Sequence, residues 1–142
     1  MQQHHLGWVV KDIERAQGQF ARDGHVAISE VIADAIQRVG VQFFRDVTGA
    51  FVWEIVAPLD SVESSPLAAR LRRGGGLDHV CYELDAADGS LEDVLAKETA
   101  RGAHVIVPPI HATAFGRQIA FVSRRSGQVV EFVEARRPGV SI

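Results

Sequence analysis

The chain has 142 residues, of which 46% are hydrophobic and 23% are charged, and its formal net charge is −3. This length and apolar content predict one ordinary globular domain with a hydrophobic core. The slightly acidic balance lacks the basic footprint of a protein that binds nucleic acid or an anionic membrane. A single cysteine, Cys81, excludes an internal disulfide. With no signal-peptide pattern and no run of about 18 apolar residues, the sequence favours the cytoplasm.

Strand and helix signals follow one another in the first part of the chain. Residues 6–10 form a short apolar run typical of a buried strand, and Asp12 can cap a helix that Gly24 ends. Strand signals then cover residues 25–32, 39–44 and 50–56. The pattern predicts a β-α-β-β-β module over residues 1–58.

The same order recurs after a connector of residues 59–74, which includes a short helical signal. In the second module, residues 75–137, a first strand is predicted at 77–84, a helix from Ser90 to Gly102, and further strands at 105–107, 118–123 and 129–133. The segment of residues 108–116 between these strands is too long and irregular for a tight hairpin. It is predicted to be a loop that borders a ligand site.

A histidine and a glutamate recur at matching points of the two modules. His5 and His79 each begin a strand-like run, and Glu54 and Glu131 each lie in a later strand. This recurrence indicates an internal duplication. Strand alternation places each of the four side chains on the face opposite the bulky apolar residues. If the two modules form one curved sheet, the four side chains can converge in its concavity.

Two imidazoles and two carboxylates form a mixed nitrogen and oxygen donor set. Such a set suits a divalent ion of Zn, Ni, Co, Fe or Mn. A single strand glutamate is more often solvated or paired than a ligand. Glutamates at duplicated positions within apolar strands favour the metal site, because an unpaired buried carboxylate costs several kcal/mol.

Several short motifs occur in a characteristic order. They are His5-Leu6-Gly7, Val10-Lys11-Asp12-Ile13, Glu54-Ile55-Val56-Ala57-Pro58, Gly76-Leu77-Asp78-His79-Val80, Gly116-Arg117 and Val130-Glu131. In order and spacing the chain resembles the vicinal oxygen chelate superfamily, and within it the branch of glyoxalase I and methylmalonyl-CoA epimerase. The resemblance implies an α+β fold in which two βαβββ modules form a curved sheet with a metal-binding cleft. It also implies one divalent ion held by His5, Glu54, His79 and Glu131, and a homodimer.

The resemblance further implies a metal-dependent lyase, isomerase or epimerase that removes a proton beside a metal-bound carbonyl and forms an enediolate. A thioester or a thiohemiacetal is the candidate substrate. Glu131 is the predicted base, with Glu54 as the alternative. Gln42, Arg117 and His111 are predicted to contact the substrate. The alternative for Gln42 is a polar strand residue, and for Arg117 a surface salt bridge.

Two departures from the family patterns leave the reaction open. Epimerases of this branch typically carry Gln at the position of Glu54, and they carry a carboxylate base in the strand where this chain has Gln42, Phe43 and Phe44. The glutathione-binding pattern of glyoxalase I is not evident. A metal-free protein that binds small molecules on the same fold is the alternative function. The four intact ligand positions favour the enzyme.

Overall fold

Burial alternates along two of the strands, and capping side chains mark the starts of the two longer helices. The computed structural model describes residues 1–140 and 142. Nine strands and three helices lie within these residues, in a mixed α+β architecture. In chain order they are β1 (Gln2–Val9), α1 (Ile13–Arg22), β2 (Val26–Ala27), β3 (Ile32–Asp34), β4 (Val39–Arg45), β5 (Val52–Pro58), α2 (Ala68–Arg72), β6 (Gly76–Glu83), α3 (Leu91–Ala100), β7 (His104–Ala112), β8 (Arg117–Ser123) and β9 (Val129–Val133).

The chain divides into two compact units. The N-terminal unit is His5–Asp78, and the C-terminal unit combines Met1–His4 with His79–Ile142. None of the three helices in the described residues is long and apolar enough to cross a membrane.

In the N-terminal unit, strands flanking β5 build the sheet. β1 pairs with β5 in parallel, and β4 pairs with β5 in antiparallel orientation. The short strands β2 and β3 both pair with β4. The Asp12 carboxylate caps α1, as the sequence predicts. Helix α1 buries Ala16 against Phe44 and Ile55, so it covers one face of this sheet.

In the C-terminal unit, β6 pairs with β9 in parallel, and β9, β8 and β7 continue in antiparallel order. The predicted cap of α3 is confirmed: Ser90 and Asp93 form a reciprocal capping box. Leu91, Val94 and other apolar side chains of α3 form one core with Phe132 of β9. The opposite face of the sheet is therefore left for other side chains, including those of the predicted site.

Two sequence-based predictions about strands were wrong. The single strand predicted at residues 25–32 is interrupted between β2 and β3, because the Ser29 hydroxyl accepts a hydrogen bond from the Phe43 backbone and donates one to Glu30. The loop predicted at residues 108–116 is mostly strand, since β7 continues to Ala112. Register shifts between Val107 and Ile110 accommodate the two prolines, which have no N–H to donate.

Candidate metal centre

The first candidate pair lies in the N-terminal unit, where β1 and β5 run in parallel. Gly7 of β1 is the register partner of Glu54, and His5 lies two residues before Gly7 on the same face. The Nε2 atom of His5 is 3.2 Å from Oε2 of Glu54. Both side chains are buried, with 0% of His5 and 6% of Glu54 exposed. The predicted His and Glu are thus brought together in this unit.

The second pair repeats this arrangement in the C-terminal unit. Cys81 of β6 is the register partner of Glu131 on β9, and His79 lies two residues before Cys81. The Nε2 atom of His79 is 3.4 Å from Oε2 of Glu131. His79 and Glu131 are 5% and 3% exposed. The two units therefore share one arrangement. In each, the His and the Glu lie on two parallel strands, the His comes two residues before the register partner of the Glu, and Nε2 is the imidazole nitrogen nearest the carboxylate.

A phenylalanine supports the histidine in each pair. Phe43 is the register partner of Glu54, and its ring meets the His5 imidazole edge-on at 5.6 Å. Phe121 is the register partner of Glu131, and its ring meets His79 edge-on at 5.2 Å. These contacts favour one orientation of each imidazole. This role of Phe43 and Phe121 was not predicted, although the sequence has a Phe in the strand preceding each Glu.

The distances within each pair suit two ligands of one ion. With bonds of about 2.1 Å to the ion, a nitrogen and an oxygen lie about 3.0 Å apart at a right angle and about 3.4 Å apart at a tetrahedral angle. The observed 3.2 and 3.4 Å fall in this interval. Neutral imidazole and carboxylate are donors that Zn and its neighbours accept. An imidazolium–carboxylate ion pair has the same separation, so metal content is the measurement that distinguishes the two.

Two residues predicted to contact the substrate lie on the other face of their strands. The Gln42 amide accepts a hydrogen bond from Gln17 of α1 and donates one to the Ser29 carbonyl, on the side covered by the helix. His111 is exposed on β7 and pairs with Gln118, which alternates with the site-facing positions of β8. The structure does not bring Gln42 or His111 to the faces that carry the His–Glu pairs.

Arg117 lies on the same face of β8 as Phe121. It is buried, and its ion pair is not at the surface. Its guanidinium is buried and lies 3.0 Å from the Glu83 carboxylate, which also accepts a hydrogen bond from Arg136. Burial alone would raise the pKa of Glu83, but hydrogen bonds from Arg136 and Arg117 outweigh burial and hold this pKa below its ordinary value. Arg117 therefore has a structural partner, and its predicted contact with substrate stays a prediction.

Glu83→Gln is expected to lower the free energy of unfolding by about 3 kcal/mol at pH 7, because it leaves the buried Arg117 guanidinium without its carboxylate. The pKa of Glu83 is lowered by folding, so its contribution is present above the unfolded-state pKa of about 4.3 and is lost as the pH falls through the folded-state value. The variant should consequently lose less stability than the parent between pH 5 and pH 3. Urea unfolding at several pH values measures both effects. Glu92→Gln, an exposed change on α3, is the control. If the stability of the parent and of Glu83→Gln depended equally on pH, the lowered pKa would not belong to Glu83.

Comparison with known families places the chain by sequence. Residues 4–121 match the profile of a family described as "Glyoxalase/Bleomycin resistance protein/Dioxygenase superfamily". A search of curated proteins found no match.

Several solved structures share the fold at low sequence identity. A hypothetical protein from Bacillus halodurans C-125 is 22% identical, with 99% of this chain and 98% of that chain covered and a TM-score of 0.80. Methylmalonyl-CoA epimerase from Mycobacterium tuberculosis is 21% identical over 95% of this chain and 88% of its own, with a TM-score of 0.75. A variant of the Streptomyces coelicolor methylmalonyl-CoA epimerase, in complex with 2-nitronate-propionyl-CoA, is 19% identical over 100% of this chain and 98% of its own, also with a TM-score of 0.75.

Proposed function

The chain belongs to the glyoxalase/bleomycin resistance protein/dioxygenase superfamily, and from that premise we propose that it is a metal-dependent enzyme that moves a proton at the carbon beside a substrate carbonyl. The observation that carries the proposal is the repeated His–Glu pair, buried and in the same strand register in both units. Buried carboxylates beside imidazoles at two equivalent points are expensive to retain for packing alone. They are the donors that a catalytic divalent ion requires.

We propose that His5, Glu54, His79 and Glu131 together hold one divalent ion of Zn, Ni, Co, Fe or Mn. Two observations support this ligand set: the separations within each pair fit adjacent ligands, and each pair supplies one nitrogen and one oxygen. When bound, such an ion supplies Lewis acidity to a carbonyl oxygen of the substrate. The remaining chemistry falls to the side chains of the chain itself.

The proposed base is Glu131, with Glu54 as the alternative. One carboxylate oxygen of Glu131 takes the proton from the carbon beside the carbonyl, and the C–H bonding electrons stay with the substrate. The same carboxyl group then returns the proton to the neighbouring carbon, which gives an isomer. Return to the original carbon from the same side only exchanges the hydrogen, so an epimer requires a second proton donor on the opposite side of that carbon. Cys81 and Phe121 are the register partners of Glu131 on its two neighbouring strands, and neither of them is a carboxylate.

A single base fits this chain better than two opposed bases. Phe43 stands beside Glu54 and Phe121 stands beside Glu131, so in the described residues no further carboxylate pairs in register with either glutamate. Epimerisation usually uses one base on each side of the carbon. We therefore favour a one-base isomerase or lyase over a two-base epimerase.

For the substrate class we propose a thioester, with a thiohemiacetal as the second choice. Two of the similar structures are named methylmalonyl-CoA epimerase, and one of them is in complex with 2-nitronate-propionyl-CoA. A thioester carbonyl makes the adjacent C–H acidic, which suits removal by a carboxylate base.

We also propose a homodimer, in keeping with the superfamily resemblance. The division into modules of residues 1–58 and 75–137, joined by 59–74, and the cytoplasmic location stay predictions.

The test has two parts. First, the purified protein should contain about one divalent ion per chain, measured by elemental analysis. Second, the metal-loaded protein should exchange the C–H beside the carbonyl of an acyl-CoA thioester or a 2-oxoaldehyde thiohemiacetal with deuterium from solvent, and chelation should abolish this exchange. Tight binding of these compounds without metal and without exchange would instead identify a small-molecule binding protein.

A further inference from the structure

Two cavities adjoin on the helix-covered side of the N-terminal unit. The first, of about 520 Å³, is lined by the start of α1, the end of β1 and the glycine loop at residues 74–76. The second, of about 440 Å³, extends toward the other end of α1 and reaches Phe20 and Trp53. Trp8 and Gln19 line both cavities. The two cavities thus form one elongated depression along the helix, here named the α1 groove.

The glycine loop lines the end of the α1 groove that lies near the start of α1. Gly74, Gly75 and Gly76 all have positive φ angles, of 104°, 66° and 86°. A Cβ atom on Gly75 would lie 2.7 Å from the carbonyl oxygen of Val9, so only glycine permits this approach to β1. The loop presents backbone without side chains, and it therefore forms a cavity wall that a ligand can approach closely.

Two cations and one carboxylate line this end of the groove: Lys11, Arg15 and Asp12. Lys11 and Arg15 line the cavity, are exposed, and form no ion pair with another described residue. The nearby Asp12 carboxylate is used as the cap of α1, where it accepts hydrogen bonds from the backbone of the first turn. Arg72 and Arg73 immediately precede the glycine loop. An anionic ligand group is the complement of this arrangement, and it would be held by side-chain cations rather than by the helix N-terminus.

We propose that the α1 groove binds a nucleoside diphosphate group, with the purine base against the Trp8 indole and the phosphates at Lys11 and Arg15. A base offers a flat apolar face to an indole. Arg binds a phosphate through two parallel hydrogen bonds, and Lys adds a point charge. The volumes are those of small-molecule sites. Free ADP and coenzyme A both contain this group, so the ligand chemistry is shared by two sources.

Calorimetric titration of the metal-depleted full chain with ADP and with coenzyme A tests the proposal independently of the metal centre. Both should bind, and Arg15→Glu should weaken ADP binding roughly 10-fold or more through loss of charge-assisted hydrogen bonds. A Glu at this position is favourable near a helix N-terminus, so the fold should be kept. Arg45→Glu, the same charge change at an exposed site at the end of β4, should leave the affinity unchanged.

The role of Trp8 is tested by Trp8→Leu, which should weaken ADP binding about 10-fold, and by Trp8→Phe, which should restore most of the affinity. If Trp8→Leu does not fold, Arg15→Glu alone decides. Coenzyme A binding at least about 10-fold tighter than ADP would support the groove and show that it also contacts the part of coenzyme A beyond the nucleotide, while similar affinities would assign it to the nucleotide alone. Failure of both ligands to bind at millimolar concentration would overturn the proposal. Equal losses in Arg15→Glu and Arg45→Glu would overturn it as well.

Discussion

Glu131→Gln is expected to slow exchange of the substrate C–H with solvent about 100-fold or more, while the protein keeps part of its metal. The amide preserves the shape of the side chain and one oxygen donor, but it cannot accept the proton. Cys81 and Phe121 occupy the register positions beside Glu131, so neither neighbouring strand supplies a substitute carboxylate there. The measurement is the rate of deuterium incorporation per bound ion, which separates loss of the base from loss of the metal.

Glu54→Gln is the matched comparison, because it makes the same chemical change in the other pair. We expect a milder effect, since the related epimerases typically carry Gln at the matching position. A rate for Glu131→Gln equal to the parent rate, with metal bound, would mean that another group is the base. A larger loss in Glu54→Gln than in Glu131→Gln would exchange the roles of the two glutamates.

The features that the sequence predicted well are those set by nearby residues. The bounds of β9 were predicted without error, and the side-chain caps of α1 and α3 were identified, because capping and strand alternation depend on a few adjacent side chains. The same alternation placed His5 and His79 on the faces of their Glu partners. The superfamily resemblance, which used the order of several such motifs, was confirmed by the match over residues 4–121.

The features that the sequence did not predict depend on pairing between distant segments. The face on which His111 lies follows from the register that β7 adopts after its two shifts, and nothing local to His111 indicates that register. The burial of Arg117 depends on Glu83 and Arg136, which come from another strand and from beyond β9. A lone Arg after a glycine gives no sign of such partners. Long-range ion pairs of this kind require the assembled sheet.

The ligand set itself is tested by His79→Ala, which should lower the metal content roughly 10-fold or more at limiting metal, because loss of a direct ligand should cost at least as much as loss of a group that only supports a ligand. His5→Ala should have a comparable effect. His104→Ala, an exposed change at the start of β7, is the control and should retain the parent metal content. Circular dichroism of each variant shows whether the fold is kept.

Stoichiometry at saturating metal then decides whether the two pairs share one ion. If they do, the parent binds one ion per chain, and both His79→Ala and His5→Ala weaken that single site. If each pair held its own ion, the parent would bind two ions per chain. Each variant would then lose the ion of its altered pair, and the unaltered pair would bind its ion with the parent affinity. Undiminished metal content in both variants would remove His5 and His79 from the site altogether. The shared site is the expected result, because a single His–Glu pair supplies only two protein ligands, fewer than the three or four that zinc sites in proteins use.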